Sequence, residues 1–354
     1  MAEQFPRKRL ATVGTGYFSQ FHYDAWRRLA VDLCGICSLV IEDARTVAAT
    51  FSNCRAFDQF EVMLDEVNPD LVDIIIPPQH HSQLIKACVC RGIQVICQKP
   101  FTQSLEEAED AVALAAMSGV SIFVHENFRF QPWHMKIKDL LDAGRIGKVY
   151  QACFRLRPGD GQSEDAYLNR QPYFQSMKRF LVHETAIHLI DVFRFFFGEL
   201  TTVTAELTRL NSHIAGEDAG YIIFNFESGV RALFDGNRLS DHSAEDRRRT
   251  MGDMLVEGSK GTLRLNGDGQ IFFRAFGHNE EQIINYIWKN CGFAGDSVYR
   301  TQKQIIQHLY DGSPVANNAR DYLANLRAEE AVYQSNVNGC RVRLNWTILR
   351  DFVF

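Results

Sequence analysis

Leu10-Ala-Thr-Val-Gly14-Thr-Gly16-Tyr-Phe-Ser19 is the stretch of this sequence that decides its fold. A short apolar run, typical of a strand, leads into two glycines, and a helical pattern begins at Ser19. Gly14 permits a tight turn, and Gly16 lets the backbone approach a pyrophosphate at the start of the helix. The third glycine of the full dinucleotide fingerprint is Ser19 here, so the pattern alone also fits a turn that binds nothing.

Strands and helices alternate from this turn through the first third of the chain. We predict strands at 10–13, 33–37, 56–57, 71–76, 94–97 and 121–125, with helical patterns between them. Such alternation predicts a parallel, doubly wound sheet, which is an α/β Rossmann domain, over residues 1–127. The glycines then form the first turn between a strand and a helix. This position favours the dinucleotide interpretation.

The remainder of the chain follows another pattern. A long strand is predicted at 148–156 and a helix at 180–197, and six strands then follow one another between residues 202 and 274. Consecutive strands joined by short turns indicate an antiparallel sheet. We therefore predict an α+β domain with a largely antiparallel open sheet over residues 128–354, for substrate binding and oligomerisation.

Composition limits the class of protein. The 354 residues are 46% hydrophobic and 23% charged and carry a formal net charge of −5. An ordinary, mildly acidic composition argues against a dedicated nucleic-acid binder. No stretch has the apolar length of a membrane span or of a secretory leader. The nine cysteines show no framework pattern, so we expect reduced thiols and a cytoplasmic protein.

The end of the second strand bears on the choice of cofactor. That position normally carries a carboxylate for the ribose hydroxyls of NAD, but here it is Ser38. A serine does not repel the 2′-phosphate of NADP, yet no arginine follows to bind one. The sequence therefore leaves NAD and NADP open, with a slight preference for NAD.

Two further stretches carry candidate chemistry. Gln98-Lys99-Pro100 follows the fifth strand, at the edge where open α/β sheets bind ligands, although a surface lysine is an equally good interpretation. His183-Glu184-Thr-Ala-Ile-His188 lies on the predicted helix of the second domain. His183 and His188 are about 140° apart on an α-helix, so they do not form a zinc site, and we expect no metal. Glu184 and His188 share a face, which suits a carboxylate that orients a general base.

Taken together, these motifs resemble those of the Gfo/Idh/MocA family, named after glucose-fructose oxidoreductase, inositol dehydrogenase and a rhizopine catabolism protein. The resemblance covers nearly the whole chain, from about residue 9 to 344. It rests on the glycine turn and on Pro77-Pro-Gln-His-His81, Gln98-Lys99-Pro100, Arg129-x-x-Pro132, Gly144-x-x-Gly147 and Glu184-x-x-x-His188-x-x-Asp191. The family usually has Glu-Lys-Pro and Asp-x-x-x-His, so Gln98 and Glu184 depart from its pattern.

The resemblance implies a role for each motif. Lys99 would polarise the reacting hydroxyl or carbonyl, His188 would transfer its proton, and Glu184 would orient His188 or contact the substrate. Hydride would move between the substrate carbon and C4 of the nicotinamide. The implied cofactor-binding set is Gly14, Gly16, Tyr17, Phe18, Ser38, Pro77, His81, Gln98, Lys99 and Arg129.

A polar loop precedes the predicted catalytic helix. Its charged and aromatic residues fit a polyhydroxylated ligand, and Arg157 or Arg179 would hold a carboxylate or phosphate. Together with Glu184 and His188, the expected substrate-binding residues are Arg157, Tyr167 and Arg179. A solvated loop with internal salt bridges is an equally good interpretation.

The sequence thus predicts an NAD(P)-dependent dehydrogenase or reductase of a sugar, sugar acid, cyclitol or related small polar molecule. The alternatives are a non-catalytic cofactor-binding sensor and a lyase or glycosidase that keeps its NAD through a redox cycle. The resemblance implies a homodimer or homotetramer formed through the open sheet. The apolar tail Trp346–Phe354 has no assigned role.

Overall fold

A computed structural model describes residues 7–344, so the tail from Trp346 lies outside the described residues. The described chain forms two compact units. The first contains residues 7–127 and 296–324, and the second contains residues 128–295 and 325–344.

The first unit is built on a six-stranded parallel sheet in the order β3-β2-β1-β4-β5-β6. The strands are β1 (Lys8–Val13), β2 (Val31–Cys37), β3 (Arg55–Phe57), β4 (Leu71–Ile74), β5 (Gln94–Gln98) and β6 (Ile122–His125). Its helices are α1 (Ser19–Arg27), α2 (Ile41–Ala48), α3 (Phe60–Val67), α4 (His81–Val89), α5 (Leu105–Ser118) and, later in the chain, α8 (Ser297–Asp311). This strand order confirms the predicted Rossmann fold and puts a topological switch between β1 and β4.

Residues 296–324 complete the first unit, although the sequence analysis assigned them to the second domain. Ile305 and Ile306 of α8 belong to the same buried cluster as Trp26 and Phe123. Beyond α8 the chain runs along the outer edge of β6, where the Val124 N–H donates to the carbonyl of Asn317 at 2.8 Å. A break in the chain at residue 127 would therefore not yield the whole unit.

The second unit contains a nine-stranded sheet in the order β14-β13-β12-β11-β7-β10-β9-β8-β15. The strands are β7 (Val149–Leu156), β8 (Leu200–Thr208), β9 (Ala219–Phe226), β10 (Arg231–Asn237), β11 (Gly252–Gly258), β12 (Gly261–Leu265), β13 (Ile271–Ala275), β14 (Gln282–Ile284) and β15 (Val342–Arg343). Its helices include α6 (Pro132–Asp142) and α7 (Ile187–Phe197); α9 (Ala319–Asn338) begins in the first unit and continues in the second. Each pair is antiparallel except β7 with β10, which run parallel.

One face of this sheet is covered by α7. The rings of Phe193 and Phe224 are 6.0 Å apart, and those of Phe197 and Phe226 are 5.5 Å apart. On β9 the residues alternate, so that Tyr221 on the opposite face is 58% exposed. Phe224 and Phe226 thus pack into the core of their own unit.

The predicted helix over 180–197 is divided into two kinds of helix. Leu181–Ala186 form a π-helix, and α7 continues from Ile187. A π segment widens the turn and occurs often at functional sites. Glu184 therefore lies on the π segment and His188 on the first turn of α7.

Three further observations concern the described residues. Between residues 7 and 344, none of the helices has both the length and the apolar character that crossing a membrane requires. In the same range, no cluster of three or more histidine, cysteine or acidic side chains is arranged to hold a metal ion. All nine cysteines are free thiols.

Candidate active site

The glycine turn is anchored to three elements of the first unit. Gly14 has φ +113°, and a Cβ placed there would lie 2.1 Å from the carbonyl oxygen of Ile75, so a side chain has no room. Its N–H donates to the carbonyl of Cys37 at 2.9 Å. Tyr23 on α1 donates its hydroxyl hydrogen to the carbonyl of Gly14 at 2.8 Å. The turn therefore has one conformation, set by β2, β4 and α1.

The start of α1 suits a pyrophosphate. Gly16 and Tyr17 are exposed, and a Cβ at Gly16 would meet nothing within 4 Å, so a ligand can reach the backbone. The first turn of α1 carries no acidic residue. Backbone N–H groups and the positive end of the helix dipole attract an anion at such a terminus. The residues present thus fit the diphosphate of a dinucleotide.

The end of β2 carries hydroxyls in place of a carboxylate. The Oγ of Ser38 lies 2.8 Å from Oγ1 of Thr15, and its N–H donates to the carbonyl of Phe57 at 3.0 Å. Asp58 follows Phe57 and is exposed. Burial and, to a lesser extent, the charge of Asp58 raise the pKa of the Cys37 thiol to about 11. Because Cys37 is the last residue of β2, the Asp58 carboxylate lies near the end of that strand. Asp58 is a candidate ribose contact that the sequence analysis missed, because it follows the neighbouring strand.

Lys99 follows β5 at the carboxyl edge of the same sheet. Its backbone N–H donates to Oε1 of Gln98 at 3.0 Å, and the lysine is half-buried. Pro77, which follows β4 at this edge, is exposed. Ligands of doubly wound sheets bind at the carboxyl ends of the strands. Lys99 and Pro77 therefore both lie at the carboxyl edge of the sheet.

His81 requires a correction to its expected role as a cofactor contact. The side chain is fully buried. Its Nδ1 lies 3.0 Å from the carbonyl oxygen of Phe101 and its Nε2 lies 2.8 Å from that of Ile76. Burial lowers the pKa of His81. A group with no exposed surface does not touch a ligand directly, so His81 instead ties together the segments that follow β4 and β5.

His188 in the second unit has a fixed ring plane. Its ring stacks on that of Phe128, with centroids 3.8 Å apart and an interplanar angle of 1°. Only 5% of His188 and 6% of Glu184 are exposed. Burial and the nearby charge of Glu184 raise the pKa of Tyr173, so Tyr173 lies within Coulombic reach of that carboxylate.

Arg129, expected to bind cofactor, forms a bidentate ion pair with Asp191 of α7. Nε of Arg129 is 2.7 Å from one carboxylate oxygen, and Nη2 is 2.5 Å from the other. Asn325 donates to the same carboxylate at 2.9 Å. His183 is directed elsewhere, with Nδ1 2.6 Å from Glu329. Arg129 and Asp191 therefore join the segment that carries Phe128 to the helix that carries His188.

The three residues expected to bind substrate have partners within the second unit. Arg157 donates to Asp235 at 2.7 Å, and Arg179 donates to Glu330. Tyr167 is 7% exposed and belongs to a buried aromatic cluster. Arg157 and Arg179 thus form internal salt bridges, which was the alternative interpretation of this loop.

Arg238 is a buried arginine that links separate segments of the second unit. It is 1% exposed and donates to Thr185 on the π-helix at 2.7 Å, to Asp160 at 2.7 Å and to the hydroxyl of Tyr167 at 3.1 Å. A buried guanidinium needs such a set of acceptors. Arg238 thereby fastens the polar loop to the segment that carries Glu184.

Arg170 has a weaker partner than the other arginines of this loop. It contacts Asp160 at 3.3 Å, and its Nε is buried without a hydrogen-bond partner among the described residues. Burial, and the neighbouring cations Arg248 and Arg238, lower the pKa of Arg170. Because Asp160 is held more closely by Arg238, the charge of Arg170 is incompletely balanced.

Comparison with known proteins defines the class. Residues 8–126 match the model of an oxidoreductase family with an NAD-binding Rossmann fold, and residues 134–264 match the model of the GFO/IDH/MocA C-terminal domain. The chain is therefore an NAD-binding oxidoreductase. It belongs to the Gfo/Idh/MocA family, which confirms the resemblance seen in the sequence and the expectation of NAD.

Relatives match over nearly the whole chain. A D-apiose dehydrogenase of Paraburkholderia graminis is 32% identical over 344 residues, which are 94% of this chain and 89% of the relative. An inositol 2-dehydrogenase of Rhizobium meliloti is 25% identical, covering 92% of this chain and 96% of the relative. The crystal structure of an oxidoreductase from Agrobacterium radiobacter in complex with NAD+, L-tartaric acid and magnesium is 25% identical, with a TM-score of 0.85 and coverage of 96% and 98%.

Proposed function

We propose that this protein transfers hydride between NAD and a hydroxyl or carbonyl group of a sugar, sugar acid, cyclitol or similar small polar molecule. The observation that carries the proposal is the buried, ring-stacked His188 in a chain of the NAD-binding oxidoreductase family. The relatives named for D-apiose and inositol support this substrate class. Neither a sensor nor a redox-cycling lyase or glycosidase is favoured by any of these relatives.

Two side chains carry the chemistry of the proposed reaction. Lys99 donates a hydrogen bond from its ammonium to the reacting oxygen and stabilises negative charge there. His188 takes the proton from the substrate hydroxyl during oxidation and returns it during reduction. Glu184 orients His188 or binds the substrate. NAD supplies the hydride acceptor or donor when bound.

For the substrate, we replace Arg157 and Arg179 by Arg170 as the candidate cationic contact. Its incompletely balanced charge and its place near Tyr173 suit a carboxylate or a set of hydroxyls. The L-tartaric acid in the complex of the Agrobacterium relative is a carboxylate ligand of this kind. Sugar acids therefore belong in any substrate screen beside neutral sugars and cyclitols.

The proposal is tested by screening sugars, sugar acids and cyclitols with NAD and with NADP, followed by two substitutions. Lys99→Ala and His188→Ala are expected to bind NAD as the wild type does but to lose turnover by about 10²–10⁴-fold, which is the usual contribution of a placed acid or base. The exposed residues Lys86 and His278 provide matched alanine controls. Unchanged turnover in both active-site variants would refute the assigned roles.

Assembly and location complete the proposal. We infer a homodimer or homotetramer formed through the open sheet face, since Tyr221 and Ile223 expose apolar surface there. We also infer a cytoplasmic location, because all nine cysteines are free thiols, as is usual in a reducing compartment. Sedimentation analysis of the wild type and of Tyr221→Glu tests the interface.

A further inference from the structure

A cluster of buried polar side chains lies beneath Lys99 in the first unit. His22 from α1, Asp73 from β4 and His125 from β6 have no exposed surface, and Gln98 from β5 is 6% exposed. Burying polar groups is costly unless each of them finds a hydrogen-bond partner. The hydrogen bonds in this cluster can therefore be assigned a donor and an acceptor, one after another.

The tautomer of His22 follows from Asp73. One oxygen of the Asp73 carboxylate accepts from Nε1 of Trp26 at 2.8 Å and lies 2.7 Å from Nδ1 of His22. A carboxylate only accepts, so Nδ1 of His22 carries a hydrogen and Nε2 presents a lone pair. That lone pair faces Nε2 of Gln98 at 2.6 Å.

The Gln98 amide then has one orientation. Its nitrogen donates to Nε2 of His22 and lies 3.4 Å from Nδ1 of His125. Its oxygen accepts the backbone N–H of Lys99 at 3.0 Å. Rotating the amide by half a turn would place its oxygen against the His22 lone pair and its nitrogen against the N–H of Lys99, so both bonds would be lost.

A glutamate at position 98 does not fit these partners. Glutamate offers only acceptors, whereas Nε2 of His22 is itself an acceptor. A carboxylate at position 98 is compatible with His22 only if the imidazole takes up a second proton. The amide of Gln98 is thus matched to a neutral His22.

We propose that His22 and Gln98 are positioning residues for Lys99. Asp73 fixes the tautomer of His22, His22 fixes the Gln98 amide, and the amide oxygen fixes the first peptide of the turn from which Lys99 extends. This inference rests on the proposed function, because it concerns the placement of the Lys99 ammonium.

Other groups around His22 come from several elements. The ring of His125 lies 4.1 Å from that of His22, and Phe18 on α1 lies 5.8 Å away. Burial raises the pKa of Tyr23 and of Cys97, and the charge of Asp73 raises both further. Asp73 thus lies close to Tyr23 and Cys97 as well as to His22.

The test compares Gln98→Met, Gln98→Glu and Gln94→Met in the full-length, NAD-bound protein. Gln94 is a matched control on the same strand, because its side-chain oxygen also accepts a backbone N–H, that of Ser121 at 2.7 Å. Gln98→Met is expected to lower kcat by about 10- to 100-fold, as small misplacements of reacting groups do. Gln94→Met is expected to keep the wild-type kcat.

Gln98→Glu separates a positioning role from a merely structural one. Glutamate keeps an oxygen that can accept the backbone N–H of Lys99, whereas methionine has none. We therefore expect a smaller loss of kcat for Gln98→Glu than for Gln98→Met. If the two variants lose kcat equally, or if Gln98→Met turns over as Gln94→Met does, the inference is wrong.

Nitrogen NMR of histidine-labelled protein tests the inference without measuring turnover, because it shows which ring nitrogens of His22 carry a hydrogen. His22 is assigned from the signal that disappears in His22→Gln. The wild type should show a hydrogen on Nδ1 alone, and Gln98→Glu should show one on both nitrogens. A hydrogen on Nε2 in the wild type would overturn the inference, whereas full turnover of Lys99→Ala with the expected His22 tautomer would overturn only the proposed role of Lys99.

Discussion

Lys99 and His188 are held by different kinds of contact. In the first unit, a chain of directional hydrogen bonds from Asp73 through His22 and Gln98 ends on the backbone of Lys99. In the second unit, the ring of His188 lies flat on Phe128, and an ion pair joins the segments that carry the two rings. A lysine that extends from a strand end needs its backbone fixed, whereas an imidazole needs its plane fixed.

Breaking the ion pair between Arg129 and Asp191 should have the largest effect, and it should lower the free energy of unfolding. Arg129→Met leaves the fully buried Asp191 carboxylate without its cation, which is expected to destabilise the unit by about 3–5 kcal/mol. Urea unfolding followed by tryptophan fluorescence measures this loss. Arg45→Met, which breaks the exposed pair with Glu42, is the control and should cost less than about 0.5 kcal/mol.

Replacing both Arg129 and Asp191 by apolar residues tests whether the loss of stability comes from the unpaired charge. Arg129→Met combined with Asp191→Leu removes the unpaired charge and should recover most of the lost stability. If the single variant is no less stable than Arg45→Met, Arg129 and Asp191 do not anchor the segment as described.

Acid should weaken the second unit through His134. This buried histidine lies with Nδ1 2.8 Å from the carbonyl oxygen of Phe128, and burial lowers its pKa to about 4. The unfolded chain protonates near the ordinary value of about 6.5, so it binds more protons than the folded chain between these values and stability falls as pH falls. The loss from this one group amounts to about 3 kcal/mol at about pH 4.

His134→Asn provides the comparison, because its amide nitrogen can still donate to the carbonyl of Phe128 but does not titrate. Urea unfolding at several pH values should give a shallower pH dependence for this variant than for the wild type. Equal slopes for the two proteins would exclude His134 as the source.

Replacing the ring of Phe128, which stacks on His188, should have the smallest effect, and it should appear in kcat. Phe128→Leu keeps an apolar side chain but removes the flat surface under His188, and an aromatic pair contributes about 0.5–1.5 kcal/mol. We expect kcat to fall by about 2- to 10-fold with KM and NAD affinity little changed, less than for Gln98→Met. Phe276→Leu, at a position that is 78% exposed, is the control. If Phe128→Leu loses more kcat than Gln98→Met does, the stacked ring matters more for turnover than the hydrogen-bond chain, contrary to this prediction.

The first unit could be predicted from the sequence because its signals are local. The glycines mark the turn after β1, and Ser104 caps α5 by accepting the N–H of Glu107 at 3.2 Å. Strands alternating with helices then imply a parallel sheet. The segment 296–324 escaped prediction because its partners lie in strands almost 200 residues earlier.

The candidate site of the second unit was harder to predict because its partners are distant in sequence. Arg157 meets Asp235, 78 residues away, and Arg179 meets Glu330, 151 residues away. Neither pairing follows from a motif, so the sequence left both a ligand contact and a salt bridge open for these arginines. The π-helix at Leu181–Ala186 was missed as well, since the apolar spacing of the segment also fits an α-helix.

The route of residues 296–324 has a consequence for biosynthesis. Ile305 and Ile306 belong to the core of the first unit, and Asn317 pairs along β6. A ribosome that adds about 5–20 residues per second needs roughly 10–40 s to pass from residue 127 to residue 324. Throughout that interval the nascent Rossmann sheet has an open edge and an incomplete core. Its last pieces emerge only after most of the second unit, so the nucleotide-binding unit begins folding first and is finished almost last.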